Sequence, residues 1–193
     1  MKVYYSHPKW MYNTEEEEKS IKAIKEHLGK TVDVLNPRDY DEDPDFAYLK
    51  KRKGLSVCFR LIDQTDCLVF SRFYLSKKFK NYVLEYVQHA DEYSHFRNRL
   101  KENLKDVPAR LQRLITEKTS LVTPGVAKEV NYALMMKKDV YELLPRKLRA
   151  WNKKLQSDFE GPSDLLYGTF SLMLKTWRDG KYRRLFPHFW WLE

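Results

Sequence analysis

Short apolar runs alternate with amphipathic stretches over the first 71 residues and again after residue 120. Apolar runs bounded by turn-forming residues predict strands, whereas apolar residues spaced three or four apart predict helices. The predicted strands are Lys2–Tyr5, Thr31–Leu35, Asp66–Ser71 and Asp139–Leu143. The predicted helices that separate them run from Thr14 to Gly29, over 46–62, and from Thr123 to about Met136.

This succession of strands and helices implies parallel strands joined by right-handed crossovers. The nearly continuous apolar run of the third strand is typical of a sheet covered on both faces. We therefore predict an α/β protein with a Rossmann-like or flavodoxin-like three-layer fold and a parallel sheet of about four or five strands. Residues 1–144 would form this domain, with a helical insertion at about 74–118, and residues 145–193 would form a helical extension packed on it.

The helix that begins after Thr123 carries a carboxylate at the edge of its apolar face. Thr123 can cap the helix, and Gly125 leaves its first turn free of side chains. Glu129 falls beside the apolar positions, where a carboxylate is paired, kept neutral or used chemically. Periodicity alone favours a boundary residue paired with a lysine such as Lys128 or Lys137.

Ligands of open α/β sheets bind at the carboxyl ends of the strands. Three predicted ends, Tyr5–Pro8, Asn36–Arg38 and Ser71–Arg72, should meet the amino end of the Thr123 helix. Simpler interpretations remain open for several of these residues and their neighbours. His7 could be a turn histidine, Asn36–Pro37 a strand stop, Thr123 only a cap, Asp66 a residue that orients backbone, and Asp63 a partner of Arg60.

The formal charge of +9 is unevenly distributed along the 193 residues. Residues 72–120 contain 11 Lys or Arg against 6 Asp or Glu, and residues 145–193 contain 10 against 5. The remainder is nearly neutral, so any nucleic-acid binding would belong to the two basic accessory regions. The basic and aromatic C-terminal region has three interpretations: a helical extension packed on the sheet domain, an oligomer interface, or a nucleic-acid surface.

Two cysteines, Cys58 and Cys67, indicate neither a disulfide framework nor a zinc site, and no metal or cofactor is predicted. The chain has no signal-peptide pattern and no long uncharged apolar segment. We therefore expect a cytoplasmic protein that does not bind membranes.

The order of several motifs resembles the nucleoside 2-deoxyribosyltransferase superfamily, and small archaeal-type members in particular. The motifs are KVYYSHP, VDVLNP, LIDQTDCLVF and TPGVAKEVNYAL. The most specific is Gly125-x3-Glu129-x3-Ala133, which matches the G-x-x-x-E-x-x-x-A helix of the family. The resemblance covers about Met1–Ser71 and Ser120–Leu143.

The resemblance implies that Glu129 is the nucleophile that attacks the anomeric carbon of a (deoxy)ribosyl group and displaces the base. It also implies that Tyr4 or Tyr5 orients this carboxylate, and that the protein forms a homo-oligomer. The predicted catalytic residues are Glu129, Tyr5 and His7. The predicted substrate-binding residues are Tyr4, Ser6, Pro8, Asn36, Pro37, Asp63, Asp66, Ser71, Arg72, Thr123 and Gly125.

One position departs from the family pattern. Active transferases carry an aspartate about eight residues before the aspartate that opens the third strand, and this chain has Cys58 there. Asp63 would lie on a different helix face, so His7 is the best local proton donor by chemistry. The predicted function is N-glycosidic bond cleavage or (deoxy)ribosyl transfer on a small-molecule nucleoside or nucleotide. The alternatives are a non-catalytic nucleotide-binding or sensing protein and a basic nucleic-acid-binding protein.

Overall fold

A computed structural model describes residues 1–40, 55–88, 107–161 and 165–178. The chain divides into two compact units, the first formed by Met1–Phe73 and Val122–Asp158, and the second by Tyr74–Leu121 and Phe159–Glu193. The greater part of the predicted 46–62 helix, residues 89–106 of the insertion, and the apolar end of the chain lie outside the described residues.

The elements of the described ranges alternate as the sequence predicts, with additional short strands. The strands are β1 (Lys2–Ser6), β2 (Asp33–Leu35), β3 (Cys67–Phe70), β4 (Phe73–Tyr74), β5 (Ser120–Leu121), β6 (Asp139–Leu144) and β7 (Lys147–Ala150). The helices are α1 (Glu15–Leu28), α2 (Ser56–Asp63), α3 (Lys77–Gln88), α4 (Val107–Glu117), α5 (Pro124–Met135) and α6 (Leu165–Arg178), and short 3-10 turns span Lys9–Met11 and Pro37–Tyr40.

The first unit is built on a five-stranded sheet of order β2-β1-β3-β6-β7. The first four strands of this order are parallel, and β7 is antiparallel to β6. This arrangement confirms the predicted α/β class and a mostly parallel sheet, and it is Rossmann-like. The order reverses between β1 and β3, so the crevice at their carboxyl ends is where an open sheet binds ligands.

Helices cover both faces of this sheet, as the apolar character of β3 predicts. On one face the side chains of α1 pack against Val3, Tyr5 and Val69. On the other face α2 and α5 pack against Tyr4 and Leu68. Successive side chains of β1 therefore enter different cores, which separates the functions of neighbouring residues.

Local sequence signals determine the ends of α1. The Thr14 side chain accepts a hydrogen bond from the backbone N–H of Glu17, and Gly29 ends the helix at φ 117°. That φ value favours glycine because a Cβ would be strained there. Both ends lie where the sequence predicts them.

The β6–β7 hairpin extends from the predicted fourth strand into residues 145–150, for which the sequence predicts helix. Pro145 and Arg146 form its two-residue turn, and Glu142 pairs with Arg149 across the strands. A hydrogen-bonded partner covers the edge of β6, and Leu148 adds its side chain to the core on the α1 face. Residues 145–158 consequently belong to the sheet unit.

The second unit contains β5, α3, α4 and α6, and its interior is aromatic. The rings of Phe79 and Phe170 meet edge to face with centroids 5.4 Å apart, and Trp177 lies 5.2 Å from Tyr82. Such ring pairs stabilise a small helical core beyond the area that they bury. No helix in the described ranges is long and apolar enough to span a membrane.

Candidate functional site

Glu129 lies on the buried face of α5 and is only 6% exposed. Thr123 caps this helix by accepting a hydrogen bond from the backbone N–H of Val126, as predicted. Val130 and Ala133 on the same face are buried in the core. The helix therefore carries a carboxylate into an apolar interior.

Ser6 is a hydrogen-bond partner of Glu129. Its hydroxyl donates to Oε2 of Glu129 at 2.6 Å, and both side chains are buried. Ser6 ends β1 at the carboxyl edge of the sheet, two residues after Tyr4, so both side chains lie on the α5 face. Glu129 is thus held at the strand end where ligands of open sheets bind.

Burial is the main influence on the acidity of Glu129, and it raises the pKa of this carboxyl. The Ser6 hydroxyl, the Cys58 thiol and the Tyr4 hydroxyl favour the charged form and oppose that effect. The electrostatic effect of His7 also favours the charged form, although His7 is not a hydrogen-bond partner of this carboxylate. No lysine or arginine among the described residues forms an ion pair with Glu129.

The Tyr4 hydroxyl is buried and makes no hydrogen bond of normal geometry with a described residue. Burial raises the pKa of Tyr4 well above its ordinary value, and the nearby Glu129 and Cys58 raise it further. The Tyr4 hydroxyl therefore lies close to Glu129 and Cys58 without a well-formed hydrogen bond, an arrangement that is costly for a buried hydroxyl.

Cys58, on α2, lines the same site. It is 2% exposed and belongs to the core cluster that contains Tyr4. The position at which the family resemblance implies an acid is therefore next to Glu129, and a thiol stands there. A thiol is a weaker hydrogen-bond donor and acceptor than a carboxylic acid.

A second buried carboxylate, Glu17 of α1, joins the loops that follow β1 and β2. It accepts hydrogen bonds from His7 Nε2 at 2.7 Å, Asn36 Nδ2 at 2.9 Å and Arg38 Nη1 at 2.8 Å, and from the backbone N–H of Asn13 at 2.8 Å. Burial opposes ionisation, but these hydrogen bonds prevail and lower the pKa of Glu17 to about 2.

Two of the predicted catalytic residues have other partners. The Tyr5 hydroxyl lies 2.9 Å from Ser71 Oγ, on the sheet face opposite to Glu129. The ring of His7 stacks on Tyr5, and its Nδ1 lies 3.2 Å from the Tyr5 carbonyl oxygen. That carbonyl and the Glu17 carboxylate are both hydrogen-bond acceptors, so each ring nitrogen of His7 faces an acceptor.

Arg72 belongs to a third polar group at the carboxyl edge. Its Nε donates to Glu142 Oε1 at 2.6 Å, and Arg149 donates to the other oxygen of this buried carboxylate. Trp151 lies beside both guanidinium groups, with its ring centroid 5.6 Å from Cζ of Arg72 and 5.7 Å from Cζ of Arg149. Lys153 Nζ lies 5.2 Å from the same ring.

Asp63 and Asp66 lie at the opposite edge of the sheet. Asp66 accepts a hydrogen bond from the backbone N–H of Lys2 at 2.7 Å, where β1 and β3 begin. Asp63 accepts from the Tyr132 hydroxyl at 2.9 Å, rather than pairing with Arg60. These positions separate them from the strand ends that hold Ser6 and Arg72.

The remaining predicted residues frame the carboxyl edge. Pro8 and Pro37 are buried beside the 3-10 turns that follow β1 and β2. Gly125 opens α5, and a Cβ there would meet only Leu55 Cδ2 at 4.0 Å, which is an ordinary contact. Packing against the described residues therefore does not require glycine at this position.

Five residues of these polar groups were not singled out as site residues from the sequence: Glu17, Glu142, Arg149, Trp151 and Lys153. A signal existed for Glu142, because alternation along β6 places it on the same face as buried Val140. Comparison with known proteins gave no match to a family model, a curated protein or a solved structure.

Proposed function

We propose that the protein cleaves or transfers at the N-glycosidic bond of a nucleoside or nucleotide, with Glu129 as the nucleophile. The main support is that Glu129 is buried at the carboxyl edge of a Rossmann-like sheet, with a hydroxyl partner and no ion pair to a lysine or arginine among the described residues. An ion pair with a cation would stabilise the negative charge of the carboxylate and lower its nucleophilicity. A serine hydroxyl orients the carboxylate and leaves it nucleophilic.

In the proposed reaction an oxygen of Glu129 forms a bond to the anomeric carbon as the carbon–nitrogen bond breaks. The electron pair of that bond leaves with the base, which takes a proton from solvent. Water or a second base then attacks the anomeric carbon and releases a proton to solvent, and Glu129 departs as a carboxylate. Two displacements retain the configuration of the sugar.

Ser6 would fix Oε2, so that Oε1 is the attacking oxygen. Tyr4, rather than Tyr5, is the tyrosine suited to orient the carboxylate, because it lies on the α5 face. Both ring nitrogens of His7 lie against Tyr5 and Glu17, so the proposal gives His7 a positioning role in the loop after β1.

The test is release of free base from purified protein incubated with a panel of deoxynucleosides and deoxynucleoside 5′-monophosphates. We expect Glu129→Gln to lose about a thousand-fold or more in rate, because the nucleophile is removed without a change of shape. Ser6→Ala should lose about ten-fold, because one hydrogen bond to the nucleophile is removed. Intact mass spectrometry of the wild type should detect a sugar adduct that Glu129→Gln lacks.

Glu16→Gln is the matched control, because Glu16 is an exposed carboxylate of α1. This variant should keep the wild-type rate, which excludes a general effect of lost charge. No base release by wild type from any substrate of the panel, or equal release by wild type and Glu129→Gln, contradicts the proposal.

A second candidate is a nucleotide-binding or sensing protein without turnover. Two observations favour it: burial raises the pKa of Glu129, and a thiol stands where the family resemblance implies an acid. Both would reduce catalysis without closing the site to a ligand. This candidate predicts saturable nucleotide binding, no base release, and no sugar adduct.

A further inference from the structure

A cationic group lies on the same sheet face as Glu129 and takes no part in the proposed chemistry. It consists of Arg72, Arg149 and Lys153, arranged around Trp151, with Glu142 beneath the two arginines. Three positive charges face one carboxylate, so the group retains a net charge of +2. We call these five residues the arginine cluster.

The cluster is built into the fold and does not depend on chance contacts between surface side chains. The Glu142 side chain is only 2% exposed, and it holds both guanidinium groups by charge-assisted hydrogen bonds. Trp151 is in turn packed against Phe70, with the ring centroids 5.4 Å apart. The positions of both arginines are thus fixed before any ligand binds.

The cluster retains donors that can reach a ligand. Arg72 uses Nε for Glu142, and neither of its two terminal nitrogens has a hydrogen bond to a described residue. The side chains of Arg72 and Arg149 are 24% and 52% exposed. A guanidinium has five N–H groups in a planar fork, which suits the oxygens of a phosphate.

Strand register relates the cluster to Glu129. Ser6, Phe70, Glu142 and Arg149 are successive partners across β1, β3, β6 and β7. Adjacent strands are about 4.8 Å apart, so the backbones of Ser6 and Glu142 are separated by roughly 10 Å. A phosphorylated pentose with a hydrogen bond of about 3 Å at each end has that order of length.

We propose that the arginine cluster binds the phosphate of a nucleoside 5′-monophosphate whose sugar lies at Glu129. The inference rests on the proposed function, because it takes the sugar to be at that carboxylate. Binding of the phosphate by the arginine cluster selects the phosphorylated form of the substrate. Arg72 and Arg149 supply the hydrogen bonds, and Lys153 supplies charge.

The test measures binding, so that it is separate from turnover. Calorimetric titration of Glu129→Gln protein compares each deoxynucleoside with its 5′-monophosphate, and we expect the monophosphate to bind at least ten-fold more tightly. Adding Arg149→Gln should reduce the affinity for the monophosphate about ten-fold and leave that for the nucleoside unchanged. Glu142 keeps Arg72 as a partner in this variant, so the fold should persist.

Lys147→Gln is the matched control, because Lys147 is exposed on the same face of the same strand as Arg149. It removes one positive charge and should change neither affinity by more than about two-fold. A measurement that needs no variant of the cluster is competition by inorganic phosphate, which should displace the monophosphate and not the nucleoside.

Equal affinity for nucleoside and monophosphate overturns the inference, as does an Arg149→Gln effect no larger than that of Lys147→Gln. Absence of monophosphate binding, or of competition by phosphate, also overturns it. If the protein binds the monophosphate more tightly than the nucleoside but releases no base, only the proposed function fails. If it releases base equally from both forms, only the phosphate site fails.

Discussion

Replacing Glu17 by glutamine should destabilise the first unit in a manner that depends on pH. The carboxylate of Glu17 accepts four hydrogen bonds, from Asn13, His7, Asn36 and Arg38. Glutamine keeps the size of the side chain but turns one acceptor oxygen into a donor NH₂ group. That group would face donors in a buried site.

The magnitude follows from the acidity of Glu17. Its pKa falls from the ordinary value of 4.5 to about 2 in the folded protein, which corresponds to about 3 kcal/mol at 1.36 kcal/mol per unit. Arg38 is 28% exposed, and solvent screens its contribution. We therefore expect Glu17→Gln to cost about 2 kcal/mol at neutral pH.

The sign follows from the lowered pKa. The stabilisation is fully present above pH 4.5 and is lost as the pH falls toward 2, because over this range the unfolded chain takes up a proton at Glu17 that the folded protein does not. Urea unfolding of wild type and variant at pH 7 and at pH 2.5 measures this difference. The free energies of unfolding of the two proteins should differ by about 2 kcal/mol at pH 7 and by much less at pH 2.5.

Glu16→Gln is again the control, because it removes a neighbouring carboxylate of the same helix turn that is exposed. It should change stability by less than about 0.5 kcal/mol at either pH. The assignment of Glu17 as the residue that holds these loops would be refuted if Glu17→Gln lost no more unfolding free energy than Glu16→Gln. It would also be refuted if the loss did not vary with pH.

Two further predictions concern α5. Burial raises the pKa of Glu129, so the charged form of this carboxyl destabilises the folded protein. Glu129→Gln should therefore unfold at a higher urea concentration than wild type at pH 8, and this difference should disappear in acid. A variant that is less stable than wild type at pH 8 would contradict the reasoning. Asn131 accepts from the backbone N–H of Leu155 at 2.8 Å and donates to its carbonyl oxygen at 2.9 Å, so Asn131→Ala should cost about 2 kcal/mol in urea unfolding. Tyr132→Phe, which removes one exposed hydrogen bond to Asp63, should cost less than half as much, and equal costs would contradict the greater contribution expected of the two part-buried bonds of Asn131.

Local signals in the sequence were sufficient for the framework of the sheet unit. Thr14 and Gly29 bound α1, and Thr123 starts α5, because caps act through backbone groups only a few residues away. The apolar run of β3 indicated cover on both faces for the same local reason. These features do not depend on the rest of the fold.

The roles of individual polar residues could not be predicted so well, because they depend on distant partners. Glu17 is one of four successive glutamates at the start of α1, and only contacts with Asn36 and Arg38 distinguish it from the others. The alternation of Tyr4 and Tyr5 between two sheet faces was readable, but which face Glu129 would meet required the packing of α5. β7 was not predicted, because its four residues include two charged side chains and form no apolar run. This strand covers the edge of β6.

Among the described residues three acidic side chains are buried, and their partners divide them into two kinds. Glu17 and Glu142 each bind at least one arginine, which compensates the cost of removing a carboxylate from water. Glu129 has the Ser6 hydroxyl instead. Arginines are present on the same sheet face two strands away from Ser6, so the fold could supply a cation at that edge. A purely structural carboxylate would gain stability from such a partner, whereas a nucleophile would lose reactivity to it. Within the described part of the chain Glu129 has no ion pair to a lysine or arginine, which is what a catalytic role for this carboxylate requires.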